Sequence, residues 1–223
     1  MSQLLQTIEK ETGANPTVAI IWMHGLGADA NDFVPMLHEL DLSGLPAIRF
    51  IFPNADTMPV TINGGYVMRA WYDIVNTDLG RQEDEAGLRA SQAKVEALIA
   101  REKARGIPAD RIILAGFSQG CAMTLQTGMR QPEKLAGMMC LSGYVPIAAK
   151  AAAEHTPQSL ATPIFMVHGQ MDPVIPIARA TQSRDLLKQL GYNVEWHDYY
   201  MQHSLCQEEV VHISAWLKRV LIG

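Results

Sequence analysis

Short apolar runs alternate along this chain with longer stretches in which apolar residues recur every third or fourth position. The runs are Val18–Met23, Ile48–Phe52, Arg111–Phe117, Leu135–Leu141, Ile164–His168 and Val194–Tyr200, and several, such as VAIIWM, are apolar at almost every position. A strand with one wet face alternates between apolar and polar, whereas a strand covered on both faces need not. The runs therefore predict a mostly parallel sheet buried between helices. Between them, Asp84 to Arg105 sets Leu88, Val95, Leu98 and Ile99 on one helical face among Glu, Lys and Arg, and Gly106 followed by Pro108 stops it. Gln119–Met129, Ala180–Leu190 and Glu208–Leu221 read as further helices. Strand and helix in alternation predict an α/β fold in a single domain spanning residues 1–223. Pro53 to Asp78 breaks the pattern: it is long, rich in glycine and aromatic residues, and without clear periodicity. In a compact domain such a loop is usually functional.

A length of 223 residues suits one such domain and lets folding bury roughly 70% of the unfolded surface without disulfides. The three cysteines, Cys121, Cys140 and Cys206, form no C-x-x-C pair and lie in apolar or mixed stretches, which predicts free packing thiols in a reducing compartment. The opening MSQLLQTIEKETGANP has no basic start leading into an apolar stretch, and no run approaches the roughly 18 apolar residues of a membrane span. The expectation is a soluble, cytoplasmic protein with no integral membrane association. A net charge of -5 without a basic block argues against nucleic acid or an anionic membrane as the main partner.

The candidate chemistry centres on AGFSQGCAM, where Ser118 stands between Gly116 and Gly120, after the run ending at Phe117 and before the helical stretch from Gln119. A strand, a sharp turn and a helix make the setting of a nucleophile elbow, in which small residues two positions either side of the serine avoid a collision across the turn. The N–H groups of the following helix would face anionic charge developing at the serine. A serine hydroxyl is a weak nucleophile and needs a base, oriented by a third group. In folds of this type the partners follow in the order Ser, Asp or Glu, His, each past a later strand. Asp172 in FMVHGQMDPVIP and His203 in YYMQHSLC occupy those places. Asp198 and His197 belong to the strand itself, His212 lies within the last helix, and His155 and His38 have no supporting pattern. No H-E-x-x-H and no paired Cys or His at ligand spacing is present, so no metal site is expected. Oxyanion donors would be the N–H of Gln119, by position after the serine, and that of Leu26 in MHGLGADANDF, where Gly25 and Gly27 permit a backbone turned toward a ligand. The alternative for that stretch is an ordinary glycine turn with His24 packed beneath it.

Read together, IIWMHGLGADANDF, PVTINGGYVMRAWYDI, RIILAGFSQG, VHGQMDPVIP and WHDYYMQHS resemble the carboxylesterase/phospholipase group of the α/β-hydrolase fold, which includes small bacterial carboxylesterases and acyl-protein thioesterases or lysophospholipases. The resemblance implies Ser118, Asp172 and His203 as a triad, Leu26 and Gln119 as oxyanion donors, and a bare core without a cap domain. It further implies hydrolysis of short carboxylic esters through an acyl-enzyme without a cofactor. The substrate would be a small ester or a lipid-like acyl compound, with acyl-protein thioesters and lysophospholipids as alternatives. Members resemble weak homodimers. In TINGGYVMRAWYDI, Met68 and Trp71 are the candidate wall of an acyl pocket, with Trp71 partly structural. The chain departs from the family pattern at Gln202, where glycine commonly precedes the histidine, at Cys121, which replaces a glycine, and at Asp56, which replaces a proline and is expected to loosen the Pro53 to Pro59 loop. A non-catalytic binding protein on the same scaffold is the contrasting possibility.

Overall fold

The computed structural model describes residues 4–76 and 83–222, so the end of the Pro53–Asp78 segment lies outside the described residues. The elements run β1 (Thr7–Glu11), β2 (Val18–Met23), β3 (Ile48–Pro53), β4 (Thr57–Val60), β5 (Tyr66–Arg69), α1 (Glu85–Ala104), β6 (Ile112–Phe117), α2 (Gln119–Gly128), β7 (Gly137–Leu141), α3 (Ala148–Glu154), β8 (Ile164–Gly169), α4 (Ile177–Gln189), β9 (Val194–Tyr199) and α5 (Gln207–Ile222). Seven strands form one sheet in the order β1-β3-β2-β6-β7-β8-β9. Only the β1–β3 pair in it is antiparallel, Thr7 facing Pro53, and the other five pairs are parallel.

The period of two along each buried strand divides the core. Val18, Ile20 and Trp22 of β2 pack on one side with Ile113 and Ala115 of β6, while Ala19, Ile21 and Met23 face the other with Ile112 and Leu114. The first side is covered by α5, whose Val210, Ile213, Trp216, Leu217 and Leu221 recur at helical spacing. The second is covered by α1 through Leu88, Val95 and Leu98, by α2 through Met123 and Leu125, and by α4 through Ala180 and Leu187. Burying one such apolar side chain stabilises the fold by about 1.5–3 kcal/mol, so both faces must be covered, and near-continuous apolar strands are the consequence.

The predicted strands and helices are present with small shifts at their ends. Arg111 belongs to a 3-10 turn, Ala109–Arg111, rather than to β6, Leu135 and Ala136 precede β7, and Tyr200 lies beyond β9 with 82% of its surface exposed. The Leu26 loop is followed by a short 3-10 helix, Val34–His38, with a proline in its first turn. Four elements had no counterpart in the apolar pattern. β1 reads TIEKE, an edge strand whose Glu11 pairs with Arg49 at 2.8 Å and whose Glu9 pairs with Arg101 at 2.8 Å. Charges of this kind are what keep a free edge from recruiting another strand. α3 is alanine-rich, and only its Ala151 is buried. β4 and β5 form a hairpin inside the supposedly aperiodic loop, closed by Gly64 and Gly65 at φ 66° and 79°. Its strands carry Pro59 and the exposed Tyr66 and Val67, so they do not alternate as core strands do.

Among the described residues no helix is long and apolar enough to cross a membrane. All three cysteines are free, Cys121 and Cys140 buried and Cys206 half-buried. Because β2, β6, β8 and β9 run parallel, the loops that follow them emerge at one edge of the sheet, where open α/β sheets place their ligands.

Candidate active site

Ser118 joins β6 to α2 with φ 56° and ψ -116°, a backbone conformation that residues with a Cβ rarely adopt and that costs about 1–3 kcal/mol. The surroundings hold it there. Its N–H donates to the Leu141 carbonyl of β7 at 2.9 Å, and its own carbonyl accepts from Ala122 N–H at 3.1 Å. A Cβ on Gly116 would run into the Gly120 backbone, and one on Gly120 would run into the Met23 carbonyl of β2. The two glycines are therefore steric requirements of the turn. Cys121 is accommodated because the residue it packs against, Gly143, also has no side chain.

The Ser118 hydroxyl lies 2.9 Å from His203 Nε2, and His203 Nδ1 lies 2.6 Å from Asp172 Oδ2. The Asp172 carboxylate only accepts, so Nδ1 carries the imidazole proton and Nε2 is left as the acceptor for the serine O–H. Asp172 is fixed from the other side: Oδ1 accepts the N–H groups of Val174 at 2.8 Å and Ile175 at 2.9 Å. Phe117 packs against the imidazole with ring centroids 4.7 Å apart. His168, at the end of β8, places Nε2 2.8 Å from the Ile175 carbonyl and 3.4 Å from Asp172 Oδ2. Burial lowers its pKa and keeps it neutral, so it braces the loop as a donor without adding charge. In the sequence His168 stands only as the end of the apolar run Ile164–His168. The signal available was its position four residues before Asp172.

Leu26 and Gln119 border the same space as Ser118. Gln119 opens α2, so its N–H is one of those a helix leaves without an intrahelical partner. Its side chain has a separate task, accepting from Trp71 N–H at 2.8 Å and donating to the Tyr72 carbonyl at 2.7 Å. The Leu26 loop is held by Gly27 N–H donating to the Arg69 carbonyl at 2.9 Å. His24 does pack beneath this loop, Nδ1 2.6 Å from the Gly25 carbonyl and Nε2 accepting from Ala55 N–H at 3.0 Å. Burial lowers its pKa, which matches a neutral ring with the proton on Nδ1. The packed histidine thus lies beneath a loop whose Leu26 borders the cavity beside Ser118.

A cavity of about 240 Å³ opens beside Ser118. Ile62, Ile74, Val174 and Ile175 line it with apolar side chains, together with Tyr72 and Tyr144. Neither candidate wall residue lines it. Trp71 is buried, stacks on His24 and donates from Nε1 to the His24 carbonyl at 2.9 Å, so the indole supports the Leu26 loop from behind. Met68 sits on β5, where its sulfur packs toward Gly27 and lies 3.5 Å from Asn63 Nδ2. No residue of β4 or β5 lines the cavity, and on this side the wall comes from Ile62 and Asn63 between the two strands and from Tyr72 and Ile74 beyond β5. The N-G-G turn between a stretch rich in β-branched residues, TMPVTI, and one rich in aromatic residues, YVMRAWY, was the available signal for that hairpin.

The competing groups stay outside. Asp198 accepts from Gln170 at 2.6 Å and from Trp196 Nε1 at 2.8 Å at the exposed end of β9, and His197 stacks on His212 at 4.4 Å. Gln202 does not take a left-handed backbone conformation, so the glycine common at that place is not required here. Asp56 does not loosen its loop: it pairs with Lys94, and its carbonyl accepts from Ala70 N–H at 3.1 Å.

The chain as a whole is matched by known proteins. The family model of phospholipases and carboxylesterases matches residues 5–221. The chain belongs to the phospholipase/carboxylesterase family. It is similar to acyl-protein thioesterase 1 of Neurospora crassa, 42% identical over 214 residues that cover 92% of this chain and 87% of the relative. It is also similar to acyl-protein thioesterase 1 of Mycosarcoma maydis, 38% identical over 96% of this chain and 95% of the relative. Among solved structures, the acyl-protein thioesterase 2 of Zea mays superposes with a TM-score of 0.86 at 28% identity, over 97% of this chain and 99% of that one. The phospholipase/carboxylesterase match makes this chain an α/β-hydrolase and a serine hydrolase of the carboxylic-ester class.

Proposed function

We propose that this protein hydrolyses acyl thioesters carried on a larger group, as an acyl-protein thioesterase does, with Ser118 as nucleophile, His203 as base, Asp172 as its orienting carboxylate, and the Leu26 and Gln119 N–H groups as oxyanion donors. The observation that carries the chemistry is the unbroken line from Asp172 through His203 to Ser118, with contacts of 2.6 and 2.9 Å, beside an apolar cavity. The two relatives named acyl-protein thioesterase 1, at 42% and 38% identity, favour the thioester over the small carboxylic ester. One α/β-hydrolase domain without a cap does the work, a reading supported by a family match that spans residues 5–221. Three free thiols fit a reducing, cytoplasmic setting.

His203 Nε2 takes the Ser118 proton as Oγ attacks the acyl carbon, and the tetrahedral oxygen takes the negative charge toward the Leu26 and Gln119 N–H groups. Collapse breaks the carbon–sulfur bond, and the thiolate leaves with the proton from Nε2. Water then attacks the acyl-enzyme, losing a proton to the same nitrogen, and the acid departs as Oγ recovers its hydrogen. A thiol has a pKa of roughly 8.5, far below that of an alcohol, so its expulsion depends less on timely protonation. Comparing kcat/KM for a thioester and an oxygen ester of the same acyl group is the test. The thioester is expected to be at least about tenfold better. A preference for the oxygen ester, lost in Ser118→Ala, would return the protein to the small-ester carboxylesterases.

A further inference from the structure

Two of the residues lining the cavity beside Ser118, Tyr72 and Tyr144, are buried and place their hydroxyl oxygens 3.0 Å apart. Burial raises both pKa values, so the hydroxyls stay protonated and the hydrogen bond between them persists through the neutral range. Behind them the chemistry changes. The Arg179 guanidinium lies over the Tyr144 ring at 3.9 Å from its centroid and pairs with Glu83 at 3.4 Å, while the second Glu83 oxygen accepts Ile147 N–H at 2.8 Å. Beyond this pair lies a separate cavity of about 530 Å³ lined by Glu83, Glu85, Lys150 and Arg179.

We propose that the Tyr72–Tyr144 hydroxyl pair, backed by Glu83 and Arg179, is the end wall that sets the length of acyl chain the site accepts. The proposal rests on the acyl-transfer reading above and adds a chain-length limit to it. An apolar tail advancing past the wall would have to separate these buried hydroxyls and lie against a carboxylate and a guanidinium, removing their partners without replacing them. Breaking one buried hydrogen bond forfeits more than another methylene gains, so the tail stops. At roughly 30 Å³ per close-packed methylene, 240 Å³ holds about eight carbons. Tyr72 and Tyr144 are thus specificity residues for medium chains, and the larger cavity, whose lining mixes these charged groups with Val145, Ile147 and Leu186, is space that a shorter wall side chain would open to a longer tail.

The test separates binding from turnover by using the Ser118→Ala protein and calorimetry with straight-chain carboxylates of four to fourteen carbons, below their micellar concentrations. Each methylene taken out of water should tighten Kd about fourfold. The expected series tightens up to about eight carbons and is flat thereafter. Adding Tyr144→Ala should move the break to twelve carbons or more. If that variant does not fold, Tyr144→Leu makes the same test with a smaller opening. Kd that keeps tightening to fourteen carbons with both tyrosines in place would overturn the wall, as would a break that Tyr144 variants leave where it was. Turnover is read apart: a break near eight carbons in a protein that hydrolyses no acyl thioester or ester of any length supports the wall and refutes the proposed function.

Discussion

Ser118→Ala is expected to remain folded and to lose about 10⁶-fold in kcat on any acyl substrate it cleaves. Ser118 Oγ lies 2.9 Å from His203 Nε2, the nitrogen that would take its proton in the proposed reaction. His203→Gln should cost about as much, and the double variant no more, because the two act as a single unit. Asp172→Asn is the more telling change. Oδ1 of Asp172 accepts two backbone N–H groups, so an asparagine will keep its carbonyl oxygen there and present its NH₂ to His203. Facing a donor, Nδ1 must give up its proton, which moves to Nε2, the atom that has to accept from serine. A loss of about 10⁴-fold in kcat with unchanged circular dichroism is the expected result. Equal activity in the aspartate and asparagine proteins would remove Asp172 from the mechanism.

The second large effect is on stability. Glu209 is the third residue of α5, where a carboxylate ordinarily reaches back to the N–H before the helix. Cys206 N–H does favour its charged form, but neither carboxyl oxygen makes a full hydrogen bond, and burial dominates, pushing its pKa from 4.5 up to about 8. Between those values the folded protein holds a proton that the unfolded chain has released. The stabilisation is complete below about pH 4.5 and is lost as pH rises through 8, an expected fall of about 5 kcal/mol by pH 9 attributable to this group. Glu209→Gln, neutral and of similar shape, should flatten that slope, with a urea midpoint close to the parent's at pH 5 and clearly above it at pH 9. Parallel pH curves for the two proteins would show that Glu209 titrates normally. The effect bears on the site because α5 begins immediately after the loop that carries His203.

Most of the sheet could be read from the chain because strands buried on both faces are apolar regardless of what surrounds them. β1 could not, since an edge strand is selected to be charged, and its Glu9 and Glu11 find their cations only after α1 and β3 are assembled. The β4–β5 hairpin was hidden because it projects Tyr66 and Val67 outward instead of burying an alternating face. Ser118, Asp172 and His203 were legible for a different reason: the parallel strands impose their order, and the elbow imposes Gly116 and Gly120. The pocket wall was not. Residues Met68 and Trp71 were chosen for apolar bulk, whereas which side chain meets the cleft depends on where the hairpin turns, and that sends Trp71 beneath the Leu26 loop.

The measurement closest to the central claim is rapid chemical quench of the wild-type protein during hydrolysis of an acyl thioester, followed by peptide mass mapping. An acyl group should appear on the Ser118 peptide within one turnover and disappear as free acid forms. Turnover with no covalent adduct, or with the acyl group on another side chain such as Cys206, would contradict it.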